Sequence, residues 1–498
     1  MNDARAARHV APEARLLALD WVRVVLIPHA RERKANPESE VLARADALGR
    51  EDRALFQELT IGLMREWGFL NEVLLRFAKR PPREKLRNLV LQSAYSLLFL
   101  DRIPAYAVFS EAKRLASLLG LSEHEAGFAH GVLKQVERNR EAILKERADA
   151  MAKLKDGARP SSAFEWAVLN SSGELLRMLN WCAPGETEAD AQSRAVRALA
   201  AMKEPLPLVG YVLPGMKPSR EYARLGSTIA PDALILDAAA IREDPAVRVQ
   251  GEVSQWVCLE AAKWIAGRAR ESSAPVRVLE MASGKGGKLL GTLAALARLS
   301  FSAPESRTFG APEVQPFTAP EARPDSRGVF SRLEWWAADS SDTQLRFFER
   351  DAFPRVRELW PDARVRVLRT DFSDAARLPV EFSTPFDLVW LDAPCTGFGT
   401  LAKHPQIAWT RGLHARREAE SMAALQHGLV EKSAGFLASG GTFLYSVCTL
   451  TEPETSGVTH FANQKLRGEP VWERVLWPGD SSTPASEGFY AALLQKPA

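Results

Sequence analysis

Residues 276–299 read VRVLEMASGKGGKLLGTLAALARL. Val276 to Met281 is an apolar strand candidate, glycines and lysines follow at once, and Leu289 to Leu299 has the composition of a helix. Strand, glycine-rich turn and helix in that order open an α/β unit. Downstream, Glu334–Ala338, Arg364–Leu368, Leu388–Leu391 and Thr442–Ser446 are further strand candidates, with helical segments between most of them. The alternation predicts a doubly wound, mainly parallel, Rossmann-like sheet domain over 256–498.

Upstream the periodicity is different. Leu16, Leu17, Trp21, Val24 and Val25 recur at helical steps, as do Leu55, Leu59, Leu63 and Leu115, Leu118, Leu119. Residues 1–150 are therefore expected to form an all-α domain, closed by the charged run RADAMAKLKDGARPSS at Arg147–Ser162. Between them, 151–255 reads as a small α/β linker domain, with a helix from Phe164 to Leu179 and strands at Pro205–Val212 and Leu234–Ala238. One segment departs from all of this. Residues 303–326 repeat Ala-Pro-Glu in APESRTFG, APEVQPFT and APEARPDS, which predicts a flexible surface insertion over about 301–330.

A length of 498 residues suits several domains at roughly 100–200 residues each. With 46% hydrophobic and 26% charged residues, a disordered chain is excluded. Lys plus Arg is 65 against 62 for Asp plus Glu, so a nucleic-acid surface would have to be local. Arg76–Arg87 (RFAKRPPREKLR) is the best candidate, with six basic residues and one acid, although a solvated helix end would look the same. The four cysteines, Cys182, Cys258, Cys395 and Cys448, are too few for a disulfide scaffold and match no zinc spacing, so a reducing cytoplasm and no metal are expected. MNDARAARHVAPEAR lacks a signal core, and Leu89–Leu100 is too short to cross a bilayer, so no membrane partner is expected.

Four places could carry chemistry. In Glu280-Met-Ala-Ser-Gly-Lys-Gly-Gly-Lys288 the glycines let backbone approach a ligand, and the following helix start offers N–H groups to a carboxylate or phosphate. The spacing is neither the dinucleotide fingerprint nor a Walker loop, and a tight turn would also suit it. Asp339 and Asp371 follow the next two strands. An acid at the second strand end can accept from ribose hydroxyls and one at the third can sit beside a base, while either alone would suit a solvated turn. Asp392-Ala-Pro-Cys395-Thr-Gly-Phe-Gly399 follows another strand, and Phe398 stands where a zinc deaminase needs a second cysteine. Tyr445-Ser-Val-Cys448-Thr449 follows the last expected strand. A lone cysteine is usually a packing residue. Two at matching loop positions, each next to Thr, argue for thiolate chemistry.

Together these motifs resemble the RNA cytosine-C5 methyltransferases of the Nop/Sun class, which carry Cys-Ala-Ala-Pro-Gly-Gly-Lys, Asp-Ala-Pro-Cys and Thr-Cys-Thr or Thr-Cys-Ser loops in that order. Here they read Ala282-Ser-Gly-Lys-Gly-Gly-Lys288, Asp392-Ala-Pro-Cys395 and Val447-Cys448-Thr449, and His404-Pro-Gln-Ile-Ala-Trp409 resembles the family's His-Pro-Asp-Ile-Lys-Trp. Leu55–Arg65, Arg102–Ala112 and His130–Arg138 resemble a NusB-type RNA-binding domain, so the all-α domain is expected to be NusB-like. The resemblance implies S-adenosyl-L-methionine as cofactor, held by Ala282, Ser283, Gly284, Lys285, Gly286, Gly287, Lys288, Asp339, Asp371 and Asp392. It implies Cys448 as nucleophile and Cys395 as the group that helps to release the product. It also implies a cytoplasmic monomer acting on RNA, with 16S rRNA favoured by the NusB-like domain. Departures from the family pattern are Glu280 for Asp, Lys285 for Pro, Leu289 for Thr, Gln344 for Arg, Ala402 and Ala408 for basic residues, and Val447 for Thr. Two other readings stand beside this one: the same chemistry on tRNA or another RNA, and an RNA-binding or assembly protein that no longer holds the cofactor.

Overall fold

In the computed structural model, which describes residues 14–26, 37–183, 185–237, 240–301, 326–372, 378–479 and 487–498, the chain divides into two units. One is Met1–Glu204 with Leu401–Ala415, and the other is Pro205–Thr400 with Arg416–Ala498. Residues 302–325, which hold nearly all of the Ala-Pro-Glu repeats, and the N-terminal residues 1–13 lie outside the described residues, while Ser326–Phe330, at the end of the expected flexible insertion, is a short helix.

Helices make up all the described regular structure from Ala14 to Ala201. The helical spacing selects the buried side chains: Leu17, Leu59, Leu63, Leu89 and Leu133 are fully buried, with Trp21, Val24 and Leu115 close behind. Leu118 is the exception, 55% exposed at the last position of its helix, where the apolar face has run out. Ser122 opens the Glu123–Arg138 helix with a capping box, its side chain accepting from the Glu125 N–H while the Glu125 carboxylate accepts from the Ser122 N–H. The helix expected over Phe164–Leu179 is two helices, Ala163–Leu169 and Gly173–Leu179. Asn170 breaks them apart in the left-handed region at φ +59°, where its side-chain amide donates to Met64 O at 2.9 Å and accepts from the Gly68 N–H at 2.7 Å. Two bonds to a distant turn thus override local helix preference.

The expected linker stretch is shared between the units, its helices up to Ala201 in the first and its strands in the second. A buried ion cluster fixes the first part: Glu66 takes a two-pronged bond from Arg147 at 2.6 and 2.9 Å and an ion pair from Lys203 at 3.2 Å. In the second unit, β1 (Leu208–Val212), β2 (Leu234–Leu236) and β3 (Val247–Val249) form an antiparallel sheet in the order β2-β1-β3.

The main sheet has seven strands: β4 (Val276–Met281), β5 (Leu333–Asp339), β6 (Arg364–Arg369), β7 (Phe386–Asp392), β8 (Leu437–Val447), β9 (Glu469–Leu476) and β10 (Phe489–Gln495). Their order is β6-β5-β4-β7-β8-β10-β9, parallel from β6 to β8 and antiparallel thereafter. Successive residues feed two cores on opposite faces. Val278, Trp335, Trp390 and Leu444 pack with the Glu252–Glu271 helix and the Gly287–Phe301 helix. Leu279, Trp336, Leu391 and Tyr445 pack on the other side with Val430, Val458 and Ala462. β9 and β10 were absent from the expected strands. β10 is a continuous apolar run buried on both faces, and β9 is largely exposed, so neither shows the usual alternation.

Candidate active site

β4 lies between β5 and β7, and its loop leaves the carboxyl edge of the sheet at the middle. The turn uses positive φ at Ala282 (+58°), Gly284 (+57°) and Gly286 (+78°). A Cβ at Gly286 would fall 2.5 Å from the Phe348 ring, whereas the space where Cβ atoms of Gly284 and Gly287 would stand is open. The Ser283 N–H bonds to Ala338 O at 3.0 Å and the Gly284 N–H to Asp339 Oδ2 at 2.9 Å. Asp339 Oδ1 accepts from the Ser341 N–H at 2.8 Å, so this acid also clamps the loop to the end of β5. The end of β6 joins the same edge, where the Thr370 N–H donates to Asp339 O at 2.9 Å and Asp371 stands exposed. Two buried hydroxyls here, Ser283 Oγ and Thr370 Oγ1, have no partner among the described residues. Such orphans are costly unless a ligand satisfies them, so the loop and strand ends fit a nucleoside-bearing cofactor.

Beneath the loop, Glu280 is buried with Oε2 accepting from Trp335 Nε1 at 3.0 Å. Burial pushes its carboxyl up to about 8. Lys288 reaches across to β7 and donates to Asp392 Oδ2 at 2.5 Å. Burial alone would lower its pKa, but the Asp392 carboxylate outweighs that and holds the ammonium charged. Asp392 Oδ1 accepts from Ser446 Oγ at 2.7 Å, and the same hydroxyl accepts from Trp390 Nε1 at 3.0 Å.

The two cysteines expected at the site come together. Cys395 Sγ and Cys448 Sγ are 3.3 Å apart, both free thiols and both half-buried. Backbone bonds lock their loops side by side: the Ala393 N–H donates to Ser446 O at 2.9 Å and the Gly399 N–H to Cys448 O at 3.1 Å. A hydrogen bond with Cys448, then burial, then the Cys448 charge push the Cys395 thiol well above its ordinary value. Cys258, by contrast, is a buried core residue whose thiol is pushed up to about 12 by burial.

Glu454 was not among the expected site residues. It is fully buried behind the cysteines, accepting at Oε1 from the Thr396 N–H (2.8 Å) and at Oε2 from Thr396 Oγ1 (2.6 Å) and Thr451 Oγ1 (2.7 Å). The threonine beside each cysteine was the visible hint, since Thr396 and Thr449 are the residues that face this carboxylate.

Several of the residues that depart from the family pattern sit in packed surroundings. Lys285 Nζ sits 4.7 Å from the centre of the Phe347 ring, and Leu289 and Val447 are buried in the two cores. Ala402 and Ala408 are buried in the first unit, where Arg65 NH2 donates to Ala402 O at 3.0 Å. In the basic run, Arg76 is tied to Glu146 at 2.6 and 2.8 Å, while Lys79, Arg80, Arg83 and Lys85 are exposed. Among the described residues no cluster of His, Cys, Asp and Glu suits a metal ion, and no helix is long and apolar enough to cross a membrane.

Residues 358–494 match the family model described as 16S rRNA methyltransferase RsmB/F, and residues 12–138 match the NusB family. The chain is 26% identical over 475 residues to ribosomal RNA small subunit methyltransferase B of Citrobacter koseri and 24% identical over 460 residues to that of Salmonella arizonae. Each pairing covers 90% of this chain and 91% of the relative. Among solved structures it is similar to PH0851, with a TM-score of 0.58 and 16% identity over 97% of this chain and 99% of that one, a likeness of fold.

Proposed function

We propose that this chain, an RNA methyltransferase of the RsmB/Sun family, forms 5-methylcytosine in 16S rRNA through a cysteine adduct. The observation that carries the reading is the pair of free thiols 3.3 Å apart at the ends of adjacent parallel strands, beside a polar glycine loop. Packing alone gives no reason for two thiols on neighbouring catalytic-edge loops, and covalent catalysis does.

S-adenosyl-L-methionine, when bound, supplies the methyl group. Ala282 to Lys288 would hold it through loop backbone and the Ser283 hydroxyl, with Asp339 and Asp371 at the neighbouring strand ends. Asp392, fixed by Lys288 and Ser446, presents a carboxylate to the cytosine edge or to the cofactor's amine.

Carbon 5 of cytosine is a poor nucleophile. A thiolate adding to carbon 6 turns the ring into an enamine that can attack a methyl group. By the family's pattern Cys448 would be the sulfur that attacks, and Cys395, whose thiol is held above its ordinary value, stands in hydrogen-bond contact with it. Once Cys448 is bound to carbon 6, its charge and its hydrogen bond no longer hold the Cys395 proton. Cys395 can then lose its proton to solvent; once carbon 5 carries the methyl group, the Cys395 thiolate takes the carbon-5 proton, and that electron pair restores the ring double bond as the carbon–sulfur bond breaks and Cys448 leaves as a thiolate. The target base must leave its stack to reach both sulfurs.

The test is incubation with unmodified 16S rRNA and methyl-labelled S-adenosylmethionine, followed by identification of the labelled nucleoside. 5-Methylcytosine at one position is expected. Label only in tRNA would move the substrate, and no cofactor binding in a titration with S-adenosylhomocysteine would leave an RNA-binding protein.

A further inference from the structure

The residue immediately after each cysteine faces one buried carboxylate. We propose that Glu454 is the positioning residue that holds the two thiols in contact, by tying the chain behind Cys395 and the chain behind Cys448 to itself through Thr396 and Thr449. The inference rests on the reading of Cys395 and Cys448 as the reacting pair.

A fully buried carboxylate is costly unless its lone pairs are filled, and those of Glu454 are filled by the two cysteine loops and their neighbours. Oε1 accepts from the Thr396 N–H at 2.8 Å and from Gln426 Nε2 at 3.3 Å. Oε2 accepts from Thr396 Oγ1 at 2.6 Å and Thr451 Oγ1 at 2.7 Å, and Thr449 Oγ1 stands 3.4 Å from it. A hydroxyl has one proton. With the Thr396 proton spent on Glu454, Thr449 donates to Thr396 Oγ1 at 2.9 Å, completing a chain from one cysteine loop through Thr396 to the carboxylate. Tyr445, on the strand that leads to Cys448, donates its O–H to Glu454 O at 2.8 Å and so fixes the backbone that carries the acid. Gln426 also donates to Pro394 O at 2.8 Å, anchoring the residue before Cys395 to the same hub.

The arrangement has an electrostatic side. The carboxylate lies near enough to Cys395 to oppose its ionisation. Burial raises the pKa of Glu454 itself, and the Thr396, Thr451 and Gln426 donors oppose that rise.

The test measures thiol proximity without RNA or cofactor. Phenylarsine oxide, which bridges two adjacent thiols, is titrated against the full chain, and a Cys395→Ser variant confirms that the pair is the site. Three variants are compared: Glu454→Ala, Glu454→Gln and Thr396→Val. The last deletes one hydroxyl and keeps side-chain volume, so it decides the question if Glu454→Ala does not fold. In folded Thr396→Val and Glu454→Ala the arsenical is expected to bind at least about tenfold more weakly. Glu454→Gln, which retains one acceptor oxygen, should fall between. Methyl transfer should lose at least about tenfold in kcat, with KM for RNA unchanged within about twofold. Folded variants that bind the arsenical as tightly as the wild type overturn the positioning role. A wild type that binds the arsenical but methylates no RNA overturns the functional reading and leaves the positioning role standing.

Discussion

Lys288, in the first turn of the helix that follows the glycine loop, is joined to Asp392, at the end of β7, by a 2.5 Å bond across the sheet edge. Both side chains are largely shielded from solvent. Asp392→Asn should therefore cost about 1.5–3 kcal/mol in urea unfolding, because a charged donor loses its partner. The same change should weaken S-adenosylhomocysteine binding or slow methyl transfer by at least about tenfold. Unchanged stability and unchanged methyl transfer would remove this pair from the account of the site.

On the proposed roles, with Cys448 attacking and Cys395 helping release, Cys395→Ala should accumulate a covalent RNA adduct. Cys448→Ala should form none. Denaturing electrophoresis of enzyme mixed with substrate RNA and cofactor reads this directly, and the reverse pattern would exchange the two roles.

Glu280 makes stability depend on pH with a definite sign. Its carboxyl is held near 8 in the folded chain against an ordinary value of 4.5. Between these values the unfolded chain has lost the proton and the folded chain keeps it. Stability is then fully present below about pH 4.5 and falls as pH rises toward 8. The limiting slope for one group is about 1.4 kcal/mol per pH unit. Glu280→Gln removes this term, so wild type should lose stability relative to the variant between pH 6 and pH 8 in denaturant titrations. A constant difference between the two proteins would contradict it.

Lys79, Arg80 and Arg83 are exposed on the first unit. If they neutralise RNA phosphates, replacing all three with alanine should reduce the slope of log K against log salt by about 2. An unchanged slope would place the RNA elsewhere.

Gly399 sits where a side chain has no room: a Cβ would fall 2.1 Å from Gly488 O and 2.9 Å from Cys448 O. The Gly399 N–H bonds to Cys448 O, and Gly399 O accepts from the Gly488 N–H at 2.8 Å. Gly399→Ala should force these backbones apart, with a loss of more than about 3 kcal/mol in thermal or urea unfolding and loss of activity in whatever folds. Wild-type stability in this variant would show that the loops can separate freely.

Much of the catalytic half was legible because its signals are local. β4, β5 and β7 are apolar runs followed directly by glycine, acid or cysteine, so strand ends and candidate residues could be read from the same stretch. What escaped was set by distant partners. Glu454 lies in the polar stretch Thr451-Glu-Pro-Glu-Thr455 and reads as a solvated turn; only packing against Thr396, some sixty residues earlier, makes it buried. Asn170 broke an otherwise uniform helix through bonds to Met64 and Gly68. Asp339 was legible as an acid at a strand end, but not as the clamp for Gly284 and Ser341.

The allegiance of Leu401–Ala415 bears on how such a protein can be assembled by inheritance. The polypeptide changes unit at 204/205, again five residues after Cys395 and once more at 415/416. A gene fragment beginning at Pro205 would encode Leu401, Ala402, Ile407 and Ala408 without the helices of their own unit, turning buried apolar residues into an adhesive surface. Replacing the helical half of this chain with an unrelated one would therefore leave Leu401–Ala415 without the partners that bury it, unless that short internal segment were replaced with it.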